Sequence, residues 1–252
     1  MDLRLTDRVY IVTAASRGLG RATAEVLVEE GARVVVSSRS EAAVEACTQA
    51  LGADRAVAVV ADNADPQTPT ALIEAARTSF GRLDGALISV GGPPPGTVMS
   101  RSEPEWRSSF EAVFLGAVRL CTAIAAELNE GGSLALVLST SVKQPIGGLA
   151  ISNGLRPGLA MVAKSLADEL GPQGIRVNGL LPGRIDTERV RELDAMSGDA
   201  EANRRDAQAD IPLRRYGAPA EFGRAAAFLL SPAAGYITGV MLPVDGGITR
   251  SL

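Results

Sequence analysis

The sequence predicts one α/β domain: a Rossmann-type, doubly wound parallel sheet of about seven strands with helices on both faces. Three observations predict it. Short β-rich runs alternate with helix-period stretches along most of the 252 residues, the rhythm of successive βαβ units. The strand-like runs are apolar almost throughout rather than alternating, as strands covered on both faces must be. No shift of composition marks a linker and no internal repeat is visible, so residues 1–252 read as a single domain.

The elements follow in order. Arg8 to Thr13 is an apolar strand ending in a turn. Gly18 to Glu30 has a helical period through Ala22 and Val26, with Gly31 as its stop. Arg33 to Ser38 is the second strand. Glu41 to Leu51 is the second helix, stopped by Gly52, and Ala56 to Ala61 is the third strand. Pro66 to Phe80 reads as helix and Leu83 to Ser89 as strand. Glu103 to Leu128 reads as one long helix with Trp106, Phe110, Val113, Ala117, Cys121 and Ile124 on one face. Ser133 to Ser139 is an almost wholly apolar strand, Ile151 to Leu170 a second long helix, and Ile175 to Leu181 a strand. The polar stretch Arg189–Asp210 lacks a strong period; it is either a solvated loop or a lid over the sheet's carboxyl edge. Pro219 to Leu230 is helical, and Val240 to Val244 closes the sheet.

Composition narrows the function. Apolar residues make up 46% and aromatics only 4%, so Ala, Val and Leu build the core. The net charge is −4 with no block of like charge, which gives no electrostatic footprint for nucleic acid or an anionic membrane. Cys47 and Cys121 match no metal spacing and read as reduced, buried thiols. The absence of histidine excludes a Ser-His-Asp hydrolase, a His-ligated metal and imidazole acid–base chemistry. The N-terminus lacks the pattern of a secretory signal, and no apolar run reads as long enough to span a bilayer. A cytoplasmic protein is expected.

The first strand runs into Thr13-Ala14-Ala15-Ser16-Arg17-Gly18-Leu19-Gly20 and then a helix. Small residues let the backbone approach a pyrophosphate, and the helix N-terminus offers free N–H groups and partial positive charge. An NAD site carries an acidic residue roughly 20 residues beyond such glycines. Here the second strand ends Val36-Ser37-Ser38-Arg39, with an arginine and no carboxylate. Arg39 and Arg17 converging on a 2′-phosphate favour NADP(H); each alone would also pass as a solvated surface residue.

Further motifs extend the pattern. Asp62-Asn63 follows the third strand, and Ser89-Val90-Gly91-Gly92 ends the fourth. Arg176-Val177-Asn178, Pro182-Gly183, Thr187 and Asp245-Gly246-Gly247 come in order behind them. With these the chain resembles the short-chain dehydrogenase/reductase family over nearly its whole length. Ala14 stands in place of the first glycine of the family's TGxxxGxG. The resemblance implies an adenine contact at Asp62-Asn63, and a nicotinamide-side segment comprising Arg176-Val177-Asn178, Pro182, Gly183 and Thr187. The cofactor-binding set it implies is Ala14, Ser16, Arg17, Gly18, Leu19, Gly20, Arg39, Asp62, Asn63, Ser89, Gly91, Arg156, Pro182, Gly183, Ile185 and Thr187. It also implies a homotetramer, or a homodimer, formed through the two long helices.

The catalytic positions depart from the family. Ser139 matches the family's serine. The tyrosine and lysine of its Tyr-x-x-x-Lys fall on Ser152 and Arg156, a register also fixed by Ser165-Leu166-Ala167-Asp168-Glu169. The helix asparagine falls on Val113. A serine hydroxyl is far less acidic than a phenol near pKa 10. An arginine holds a ribose or a substrate anion but relays no proton. Ser152 and Arg156 share one helix face. The candidate catalytic residues are therefore Ser139, Ser152, Arg156 and Lys143. Lys143 is either a partly desolvated proton donor in the loop after Ser139 or a surface lysine. Tyr216 is the one tyrosine whose sequence position brings it near the site. Gly91-Gly92-Pro93-Pro94-Pro95-Gly96 is a stiff loop or the wall of a substrate pocket. Two functions stay open: an NADP(H)-dependent oxidoreductase with a non-standard active site, reducing a small carbonyl, imine or conjugated substrate, or a catalytically reduced NADP(H)-binding protein with a sensing or structural role.

Overall fold

In a computed structural model, residues 1–196 and 198–251 are described. The strands are β1 (Val9–Val12), β2 (Arg33–Ser38), β3 (Ala56–Val60), β4 (Gly85–Ile88), β5 (Ser133–Val137), β6 (Arg176–Pro182) and β7 (Met241–Val244). They form one sheet in the order β3-β2-β1-β4-β5-β6-β7, and every neighbouring pair is parallel. The order reverses between β1 and β4, which opens a crevice at their carboxyl ends where ligands of such sheets bind.

Helices α1 (Gly18–Glu29), α2 (Glu41–Leu51) and α3 (Thr68–Phe80) connect the first four strands. Their ends are punctuated as the sequence suggests: Ser40 caps α2, and Gly31, Gly52 and Gly81 take positive φ at the stops. Two apolar layers enclose the sheet. On one side Ile11, Ile88 and Leu136 pack under Leu72, Leu120, Ile124 and Leu159. On the other Val12, Val36 and Leu87 pack under Leu27, Phe222 and Ala226.

The expected single helix Glu103–Leu128 is α4 (Glu103–Ser109), a π-helical stretch Phe110–Leu115 and α5 (Gly116–Ala125). The π stretch shifts the helix face, so Phe110 is exposed while Val113, Ala117, Cys121 and Ile124 are buried. At its end Gly116 sits against Asn63, whose carbonyl oxygen would lie 2.2 Å from any Cβ. Contrary to the expectation that no segment is long and apolar enough to span a bilayer, Glu103–Ala125 meets that test. Its buried face belongs to the core of this domain.

The helix α6 (Ala150–Leu170) packs on this composite helix through two glycines one turn apart: a Cβ on Gly154 would meet Trp106 and one on Gly158 would meet Phe114. The polar stretch after β6 is not a loop. It holds α7 (Glu188–Ala195), capped by Thr187, and α8 (Ala200–Asp210), capped by Asp199. Ser197, inside the expected lid segment, lies outside the described residues. The last helix is α9 (Pro219–Leu230).

Candidate active site

The turn between β1 and α1 has the shape a pyrophosphate needs. Ala14 adopts φ +48 and Gly18 φ +61, and a Cβ on Gly20 would lie 2.7 Å from the Ala14 carbonyl oxygen. Alanine carries a left-handed backbone at a cost of about 1–2 kcal/mol, which glycine would not incur. No side chain caps α1, whose N-cap is Arg17, so its first amides stay available to an anion. Leu19 anchors the turn to the core.

The two arginines do not behave alike. Arg39 is exposed at the end of β2 and makes no hydrogen bond or ion pair among the described residues. Arg17 is instead drawn to α7, with its guanidinium 2.9 Å from Glu188 and 4.0 Å from Glu192. A phosphate would therefore have to compete with the carboxylates of α7 for Arg17, whereas Arg39 is open to it.

Asp62, Asn63 and Ser89 tie strand ends together. The Asn63 amide donates to the Ser89 carbonyl at 3.0 Å, and the Thr13 hydroxyl donates to the same oxygen at 2.6 Å. Asp62 accepts from the Ala64 amide at 3.0 Å. Gly91 is exposed, with no atom within 4 Å of where a Cβ would stand. On the far wall Pro182, Gly183, Ile185 and Thr187 lead from β6 into α7. Arg176 and Asn178 lie at the opposite end of β6 and are structural, which corrects their assignment to the nicotinamide side. The Arg176 guanidinium donates to the carbonyls of Leu229, Leu230, Ser231 and Ile237, closing the C-terminus of α9. Asn178 bridges Ile237 and Val240.

The altered positions gather at the carboxyl end of β5. The Ser139 hydroxyl accepts from the Ser141 amide at 3.1 Å. The Ser141 and Ser152 hydroxyls lie 3.4 Å apart, both buried. One turn on, Arg156 is only 5% exposed. Its Nη1 donates to the Val137 carbonyl, and its Nε has no acceptor. Burial pulls the guanidinium down to about 10, which leaves it a cation at neutral pH. Val113 is buried where the family's asparagine would stand. Pro157, next in α6, has no N–H to donate. Asn153 exchanges hydrogen bonds with the Ile146 backbone at 3.0 and 2.9 Å and so holds the loop that carries Lys143.

Other proton donors stand apart. Lys143 is exposed, which favours the surface-lysine alternative over the desolvated proton donor. Tyr216 does not reach the site: its hydroxyl lies 3.1 Å from the Asp194 carboxylate and Arg204 stacks on its ring. Tyr10 donates to the Leu230 carbonyl in the core, and Tyr236 is fully exposed.

The proline loop is pinned to the loop after β5, with the Gly96 amide donating to Gly148 at 2.6 Å and the Ala150 amide to Gly96 at 3.0 Å. Helix α7 bridges the crevice. Glu188 holds Arg17 on the glycine-turn side, and Arg189 donates to the Pro93 carbonyl at 2.9 Å on the other. Glu188, Ser141 and Asn153 border the same crevice and were marked by no motif, while Arg189 opens the segment expected as a loop or a lid. The Thr187-Glu188 pair, a helix-start signature beside a strand end, is the readable signal for Glu188.

A family model described as enoyl-(acyl carrier protein) reductase matches residues 13–249. The chain is 33% identical over 248 residues to the 3-oxoacyl-[acyl-carrier-protein] reductase of Escherichia coli strain K12, covering 98% of this chain and 99% of that one. Among solved structures it superposes on L-sorbose reductase from Gluconobacter frateurii, complexed with NADPH and L-sorbose, with TM-score 0.94, 28% identity and full coverage of both chains. It also matches a short-chain oxidoreductase of Pseudomonas aeruginosa PAO1 described as containing an atypical catalytic center. There the TM-score is 0.90 and the identity 28%, over 98% of this chain and 99% of that one.

Proposed function

The chain belongs to the short-chain dehydrogenase/reductase family, and from that membership we propose that it is an NADP(H)-dependent oxidoreductase with a non-standard active site. Its substrate is a small carbonyl, imine or conjugated compound. One observation carries the reading: a well-formed dinucleotide cradle stands beside an active-site serine that is kept, Ser139, and two altered positions, Ser152 and Arg156, that remain polar, while the third, Val113, has become apolar. Arg156 would serve a nucleotide-holding chain as a ribose contact, but the hydroxyls of Ser139, Ser141 and Ser152 gathered beside it have no such use and suit a reacting substrate.

The residues fit the cofactor. The uncapped start of α1 suits the pyrophosphate, and Arg39, without a partner among the described residues, suits a 2′-phosphate. When bound, the reduced nicotinamide supplies a hydride. The protein's own part is to orient the substrate and compensate the charge that develops on it. Ser139 offers a hydrogen bond to the substrate oxygen or nitrogen, and Arg156 contributes fixed positive charge in a water-poor setting. No phenol stands at the site, since the three tyrosines are held elsewhere or exposed. A conjugated substrate such as an enone, whose reduction develops an enolate that is less basic than an alkoxide and that Arg156 can compensate, suits such a site better than a simple ketone.

The reading extends to assembly. Phe110 and Met161 are exposed on the outer faces of the Glu103–Ala125 composite helix and of α6, and Trp106, Phe110 and Leu155 line an open surface depression there, bordered by Arg107 and Glu111. A second copy of the chain covers this apolar face in a homodimer or homotetramer. Two free, buried cysteines suit a cytoplasmic setting.

Rapid mixing of the NADPH-loaded protein with ketones, aldehydes, cyclic imines and enones tests the function, followed by loss of reduced-nicotinamide absorbance. Turnover with an imine or enone supports the reading. Tight NADPH binding with no turnover across the panel favours the binding-protein alternative.

A further inference from the structure

We propose that Arg156 anchors a carboxylate subsite, so that the molecule taken beside the cofactor is a carboxylate-bearing one. The inference rests on the oxidoreductase reading for the position of the cofactor and adds the chemical class of its substrate.

The argument starts from two buried guanidinium groups treated differently by the same fold. Arg176 is 8% exposed, and its guanidinium is spread over four carbonyls, three of them at the electronegative end of α9. Arg156 is at least as buried. It has no carboxylate partner among the described residues, a single carbonyl acceptor at Val137, and a buried Nε with no acceptor at all. A cation withdrawn from water without a counter-charge is strongly unfavourable. The core-side group is therefore compensated, and the one at the carboxyl edge of the sheet, where ligands bind, is not.

Arg176 is satisfied by four carbonyl dipoles, whereas Arg156 has one, so its missing partner has to bring several acceptor lone pairs. Ribose hydroxyls bring acceptors that are neutral and that also need acceptors of their own. A carboxylate matches the planar guanidinium fork with two oxygens and one negative charge. The neighbouring groups suit the same ligand. Ser152 precedes Arg156 by one helical turn, Ser141 lies against Ser152, and Ser139 is linked to the Ser141 backbone. These hydroxyls can donate to the outer oxygen lone pairs. A single guanidinium with no lysine buried beside it balances one charge, which favours a carboxylate over a phosphate dianion.

The test uses matched pairs that differ in charge and little in shape: propanoate, levulinate and benzoate against their primary amides. Calorimetric titration is run on the full chain with NADPH bound and again without it. Each acid is expected to bind at least tenfold more tightly than its amide. Arg156→Gln should abolish that preference, and Arg156→Lys, which keeps the charge, should retain part of it. If Arg156→Gln fails to fold, the wild-type comparison and Arg156→Lys still decide. Equal binding of acid and amide, no binding of either, or a preference that survives in Arg156→Gln overturns the proposal. Wild-type NADPH titration separates the two levels: loss of NADPH binding sinks the functional reading, whereas NADPH binding without acid preference sinks the carboxylate subsite alone.

Discussion

Replacing Arg39 by alanine should convert a strong NADPH preference into a weak one. Arg39 stands exposed at the end of β2 with no partner among the described residues, so binding a 2′-phosphate requires it to break nothing. Hydrogen bonds to charged groups contribute roughly 1.5–3 kcal/mol, a factor of about 10–150 in affinity. Exposure and salt screening put Arg39 near the lower end, so NADPH affinity should fall about tenfold while NADH affinity changes less than about twofold. Arg17 gives the contrast. It would have to leave Glu188 at 2.9 Å and Glu192 at 4.0 Å, so Arg17→Ala should alter the preference less than Arg39→Ala does. Parallel calorimetric titrations with NADPH and NADH read both effects. An equal loss for the two nucleotides, or a larger effect at Arg17, would refute the reasoning.

Ser152→Tyr with Arg156→Lys should raise ketone reduction by on the order of 10² to 10⁴, the usual worth of a general acid; a folded, NADPH-bound double variant with no gain contradicts this. Asp194 is buried between Arg184 at 2.8 Å and the Tyr216 hydroxyl. Asp194→Ala leaves the half-exposed Arg184 and the Tyr216 hydroxyl without this acceptor and should cost about 1–3 kcal/mol, visible as a fall in Tm of several degrees. Hydrogen bonds from Arg204 and then Arg191 hold Asp186 at about 2, and those from Arg215 and the Ala218 amide hold Glu221 at about 2. Because both folded values are depressed, their contribution is complete above the ordinary carboxylate range of 3.8–4.5 and is lost as pH falls toward 2. The Asp186→Asn, Glu221→Gln variant should therefore lose less stability than the wild type between those pH values in acid unfolding. Sedimentation should find a dimer or tetramer at micromolar concentration, and a species that is wholly monomeric would be the contrary result.

What was legible in the sequence was punctuation and periodicity. β2, α2 and α9 have the bounds read from the chain, because Ser40, Gly52 and Pro219 mark their ends. The crevice at the end of β1 followed from a glycine turn in strand–turn–helix context. What escaped depends on contacts distant in sequence or on faces without contrast. Helices α7 and α8 carry charge on every side and bury almost nothing, so no hydrophobic period announces them; only their caps at Thr187 and Asp199 do. The π stretch has no periodic signature and moved Phe110 outward. Arg17 reads as a free phosphate ligand until a glutamate from the far end of the domain is found beside it. Arg156 matched a family position on spacing alone. Its burial without a counter-charge, the property that makes it informative, exists only in three dimensions.

If the altered site performs redox chemistry with its cofactor, a hydride leaves the bound NADPH for the substrate. The direct measurement is a single turnover of the protein loaded with NADPH deuterated at the transferable position of the nicotinamide, mixed with a cyclic imine or an enone, and analysed by mass spectrometry of the product. Reduced product carrying one deuterium from the cofactor is expected. Bound, intact deuterated NADPH beside unreacted substrate would contradict it.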